Sequence, residues 1–183
     1  MWQRAWDERA RSFRLLAVAQ DVQGAERVRP IVEERGVEFP VLVDPASTLG
    51  AALGFRIVPS GFFVDEGGLV RYRHLDDFEV GDPRVAWNLG RFLAGDATEP
   101  PEGGPSMTSA ALELFARGVG LHSSGRSEAA VALWREALEI DPDNFVIRSQ
   151  IWVAEHPERF YPAVDRSWQE LQLLKEGYDK PLP

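Results

Sequence analysis

Apolar and polar positions change period several times along this chain, and the changes mark its elements. FRLLAVAQ (13–20) is a nearly unbroken apolar run of strand length, the pattern of a strand buried on both faces. Asp21 is placed to cap a helix over about 22–35 that stops at Gly36, and Pro30 inside it predicts a kink or a late start. VEFPVLVD (37–44) is a short extended piece. Ser47 and Thr48 open a helix through Leu53, and Gly54 ends it. GFFVDE and LVRYRHL form a hairpin across Glu66-Gly67-Gly68. DPRVAWNLGRFLAG (82–95) begins with an N-cap and N1 pair, Asp82-Pro83, and ends at Gly95. Residues 1–11, with Trp2 and Trp6 on one face, read as the tail of a helix. The order α-β-α-β-α-β-β-α predicts an α/β unit whose last two strands are antiparallel.

Beyond it the period is helical throughout. GDATEPPEGGPS (95–106) is rich in Pro, Gly and small polar residues and reads as a linker. The expected organisation is therefore an α/β domain over 1–95, a linker over 96–106 and an all-α region over 107–183. In the last region, residues 111–144 give two helices joined at Ser123-Ser124-Gly125. Ser127 is expected to cap the second and Asp141-Pro142 to stop it. FVIRSQIWVAEH, a proline-bounded turn and a final helix through DRSWQELQLLKEG follow.

Charge narrows the partners. Residues 1–95 carry 12 basic and 14 acidic residues, whereas residues 96–183 carry 8 and 15. An acidic second half argues against nucleic acid and anionic membrane, which both require clustered Lys and Arg. No apolar run approaches the roughly 18–20 residues that span a bilayer. The charged start MWQRAWDERARSF lacks a signal-peptide core, which favours the cytoplasm for the chain as given. The chain has no cysteine, so disulfides, thiolate zinc sites and cysteine nucleophiles are excluded within it. Asp76, Asp77, Glu79 and Asp82 beside His74 are read as a solvated loop rather than a metal site, and neither a metal nor a cofactor is expected. His122 and His156 fall at helix ends. No G-x-S-x-G sequence supports a serine nucleophile.

The run LLAVAQD, a helix ending ERG, VEFPVLVDP, a helix reaching LGF, and IVPSGFFVDEGGLVRY resembles the thioredoxin-like fold. Redoxins of the TlpA/ResA and AhpC/TSA types are nearest, over about residues 2–95. The resemblance implies a cis X-Pro loop at Val58-Pro59-Ser60 whose backbone binds extended substrate, with Ser60 where threonine is usual. It also implies a W-C-x-x-C turn and a first central strand ahead of the first helix, and neither is in this chain. That strand would lie between FRLLAVAQ and GFFVDEG, so the expected sheet is incomplete. The domain is expected to be truncated at its N-terminus. Alternatively another segment or a second chain supplies the strand, or the domain is degenerate and inactive. A selenocysteine codon read as a stop is one route to truncation.

Residues 111–144 resemble a tetratricopeptide repeat through Gly118, Ala130, Trp134, Ala137 and Pro142. Arg117 and Leu121 depart from the consensus Leu and Tyr. The resemblance implies either a peptide-binding groove or, as favoured here for one repeat, a packing or dimerisation element. Two functions are thus expected. One is the C-terminal portion of a thioredoxin-like oxidoreductase, inactive as given because its Cys or Sec nucleophile is absent. The other is a non-catalytic module that binds a protein or peptide, or a second copy of itself, through the helices.

Overall fold

The computed structural model describes residues 1–9, 11–54, 56–75, 77–99 and 108–178. Most of the expected linker, residues 100–107, lies outside them, as does Asp76 of the acidic loop. The fold is mixed α/β, about half helical, with small sheets. In chain order the elements are α1 (Trp2–Glu8), β1 (Ala17–Ala19), α2 (Ala25–Glu34), β2 (Val41–Val43), α3 (Thr48–Leu53), β3 (Gly61–Val64), β4 (Val70–His74) and α4 (Pro83–Leu93). They continue as α5 (Ser109–Ser123), α6 (Ser127–Ile140), α7 (Phe145–Glu155), a 3-10 turn at Pro157–Arg159 and α8 (Arg166–Lys175).

The strands form two separate pairs. β1 and β2 are parallel, with Val18 beside Leu42, and β3 and β4 are antiparallel, with Phe63 beside Tyr72. Only three residues of the apolar run 13–20 are strand, and all three are half-exposed, where burial on both faces was expected. A strand is held by ladder bonds, and among the described residues β1 has a neighbouring strand on one edge only. One face of this pair remains open: Leu16 is 53% and Leu42 54% exposed. The second pair is better covered. Phe63, Tyr72, Val85 and Leu89 form a buried cluster, closed by Trp2, Phe13, Phe78 and Phe92. Trp2 stacks on Phe78 at 4.9 Å and donates its indole N–H to the Phe78 carbonyl.

Local details depart from expectation where side chains found other partners. α2 begins at Ala25, because the Asp21 carboxylate accepts from Gln23 N and does not cap the helix. Ser47 precedes α3 with φ 51° and makes no side-chain cap; the Asp44 carboxylate accepts from Thr48 N and Leu49 N instead. Ser127 is the first residue of α6, not its cap, and its hydroxyl pairs with His122. Asp82 caps α4 as expected, accepting from Arg84 N and Val85 N.

In the helical half, α5 and α6 are in unusually close contact. A Cβ on Gly118 would lie 2.2 Å from Trp134 Nε1, so only glycine fits there. Trp134 is fully buried and donates to the Phe115 carbonyl at 3.1 Å. Ala130 and Ala137 are equally buried beside it. Gly118→Ala must therefore push the indole aside and break its hydrogen bond. A loss of about 1–3 kcal/mol is expected for such overpacking, measured as a lower urea midpoint with an unchanged slope.

Candidate functional site

The segment that enters β3 is built of main chain and apolar side chains. α3 ends at Gly54, whose φ of 73° turns the chain out of the helix. Arg56, Ile57, Val58, Pro59 and Ser60 follow. The Ser60 hydroxyl donates to the Ile57 carbonyl at 2.8 Å, and the Pro59 carbonyl accepts from Phe78 N at 3.1 Å. The Val58–Pro59 peptide is cis, as is Tyr161–Pro162. A Cβ at Gly61 would sit 2.0 Å from the Phe78 ring, so glycine lets that ring close over the base of the loop. Val58 is 46% exposed and Pro59 is exposed, while Ser60 is half-buried. The loop thus presents an apolar tip and peptide groups, with the Ser60 hydroxyl turned back onto the Ile57 carbonyl.

What holds this loop is the helical half. Val146, in the first turn of α7, donates its N–H to the Arg56 carbonyl at 3.0 Å. The Arg56 guanidinium forms an ion pair with Asp141, whose side chain is only 4% exposed. Asp141 also accepts from the Asn144 amide, and Asn144 caps α7 by accepting from Ile147 N. Ile57 packs against the cluster of Phe145, Trp152 and Leu173.

A second set of contacts grips the end of β1. Gln150, buried on α7, accepts from Val22 N at 2.9 Å and donates to the Gln20 carbonyl at 2.9 Å. Val22 itself is buried in the helical core with Phe115, Trp134, Ile147 and Ile151. The Tyr161 hydroxyl donates to Asp21 at 2.7 Å, with Arg27 over its ring at 5.2 Å. Burial, then the hydrogen bond to Asp21, pushes the Tyr161 hydroxyl well above the usual phenol range. Gln23 meets His122 at 3.2 Å.

The other candidate residues do not converge. His74 lies 3.5 Å from the Tyr72 hydroxyl, Asp82 is engaged as a helix cap, and His156 packs edge-on against Trp168. Among the described residues no group of three His, Asp or Glu side chains could hold a metal ion. The polar residues that join the halves, Arg56, Asp141, Gln150, Asp21 and Tyr161, carry no sequence pattern that would single them out. Their partners lie from 85 to 140 positions away.

Two outcomes test this junction. Gln150→Leu strands two main-chain groups, each worth about 1–3 kcal/mol when left unsatisfied in the interior; amide exchange at Val22 should accelerate and the whole chain should lose stability. The raised Tyr161 hydroxyl contributes stability that is present below the ordinary tyrosine pKa of about 10 and is lost as pH climbs through the higher folded value. Stability should therefore fall with rising alkalinity, and Tyr161→Phe should flatten that fall in pH-dependent urea titrations.

Comparison with protein-family models, curated proteins and solved structures returns no match to this chain.

Proposed function

We propose that the chain is the α/β and helical portion of a thioredoxin-like oxidoreductase whose redox nucleophile lies outside these 183 residues. In this reading Val58-Pro59-Ser60 is the substrate-facing loop, and the tetratricopeptide-like helices hold it in place. The observation that carries the reading is the division of four strands into a parallel pair and an antiparallel pair, with an exposed apolar loop leading into the second. A redoxin-type sheet has these same two pairs flanking one central strand. The chemistry would be attack of a thiolate or selenolate on a disulfide or peroxide, with the loop's peptide groups orienting the substrate. The alternative is a non-catalytic interaction module. It draws support from a groove of about 410 Å³ beside α6, α7 and α8, where Leu138, Ile151 and Trp152 lie among charged residues that include Arg135, Glu139 and Glu155.

With no cysteine, the chain alone should reduce neither insulin nor an aromatic disulfide at high protein concentration, and turnover would overturn the assignment. A longer product read from the upstream in-frame codons should carry a Cys or Sec and turn over the same substrates. A longer product with neither residue would instead favour the interaction module.

A further inference from the structure

No residue of α2 is buried, and Ile31 on it is 37% exposed. This helix forms one wall of a cleft of about 380 Å³, whose other wall is Tyr161 and Pro162 of the turn ahead of α8. The cleft bridges the two halves. It shares no residue with the Val58-Pro59-Ser60 loop or with the groove beside α6, α7 and α8.

Its floor is apolar and poor in main-chain donors. Pro30, Ile31, Tyr161 and Pro162 supply it. The two prolines have no N–H, the Tyr161 N–H donates to the Pro157 carbonyl at 3.1 Å, and that of Ile31 lies within its own helix. The Tyr161 ring is held on two sides, its hydroxyl by Asp21 at 2.7 Å and its face by the Arg27 guanidinium at 5.2 Å. A ring already fixed loses little freedom when a partner packs against it.

The rim is acidic. Glu26 and Glu34 line the cleft on either side of Pro30, and among the described residues neither side chain has a hydrogen-bond or ion-pair partner. Arg27, engaged over Tyr161, is the base that lines the cleft with them. Two carboxylates are therefore set against one guanidinium. The two stand eight residues apart on one helix, about 12 Å along its axis.

We propose that this cleft binds a proline-rich segment of a partner protein in the polyproline II conformation, carrying two basic residues four positions apart. A floor without free N–H groups cannot extend a β-ladder, whereas a polyproline II chain keeps its backbone solvated and needs no ladder. Prolines in the occupant also leave no N–H of their own to be desolvated over the floor. Such a chain advances about 3.1 Å per residue, so bases four apart span about 12 Å and reach Glu26 and Glu34 together. The 183 residues do not contain this sequence themselves. No two of their Lys or Arg residues stand four apart, and the proline-rich stretch TEPPEGGP (98–105) carries Glu99 and Glu102 and no base. The inference rests on neither of the functions proposed above.

The test is an NMR titration of the full chain with capped Arg-Pro-Leu-Pro-Arg. Amide shifts in α2 and at Tyr161 should move and saturate below millimolar peptide, and added salt should weaken the binding, because the rim is exposed to solvent. Glu26→Gln and Glu34→Gln should each weaken it about threefold. Ile31→Ser should weaken it at least as much, while exchange at the Val22 amide stays unchanged. Arg-Arg-Pro-Leu-Pro should bind more weakly, and Glu-Pro-Leu-Pro-Glu should not bind. The proposal is overturned if no shift moves at millimolar peptide, if either control peptide binds equally well, or if the shifts centre on residues 56–60 or on the groove beside α6, α7 and α8. It is overturned equally if a chain ending at Tyr178 binds the peptide at least tenfold more tightly, since residues 179–183 would then be the occupant. Shifts at Ile31 that follow protein concentration alone would make the occupant a second copy, and would overturn it too.

Discussion

Helix α7 cannot be completed by the segment that contains it. The first N–H groups of any helix lack partners within the helix. Here that of Ile147 is met by Asn144 and that of Val146 by the carbonyl of Arg56, from a loop 90 positions earlier. The Arg56 guanidinium then returns to Asp141, just before the same helix. Removing one member of so enclosed an ion pair typically costs about 3–5 kcal/mol, because the other charge remains buried without compensation. Everything on either side of the junction inherits its position from this exchange. The loop 56–60 is set by α7, and α7 carries Gln150 to the end of β1.

The two halves are therefore stabilised by different means. The helical half has a continuous apolar core in which Trp134 is locked against Gly118. The α/β half has one compact aromatic cluster around Phe63 and Tyr72, and a parallel pair left half-covered. No residue of α2 is buried, so little of the apolar surface of β1 and β2 is removed from water by that helix. The grip of Gln150 and the insertion of Val22 into the helical core compensate locally at one end of β1, and the rest of its outer edge has no strand beside it among the described residues.

How much of this was legible in the sequence depended on whether the deciding partner was near. Gly54, Asp82-Pro83 and Asp141-Pro142 stop or start elements through their own backbone preferences, and those boundaries read correctly. Gly118 and Trp134 stood out only through the tetratricopeptide resemblance, and their tight meeting across two helices was not signalled. Nor was the length of β1, because an apolar run reports a tendency to be buried, whereas a strand lasts only as far as its neighbours bond to it. Ser47 and Ser127 had the chemistry of caps and lost that role to Asp44 and to a pairing with His122. Of the candidate site, Val58-Pro59-Ser60 was named through the redoxin resemblance. Arg56, Gln150 and Tyr161 could not be picked out, since a single polar side chain gives no hint of a partner a hundred residues away.

Val22 gives the junction a further meaning. It belongs by sequence to the first half and by burial to the core of the second, beside Phe115 and Trp134. The peptide between residues 95 and 108 is then not the principal bond between the halves. Separated, they would meet as the two subunits of an obligate heterodimer do, each finishing the interior of the other.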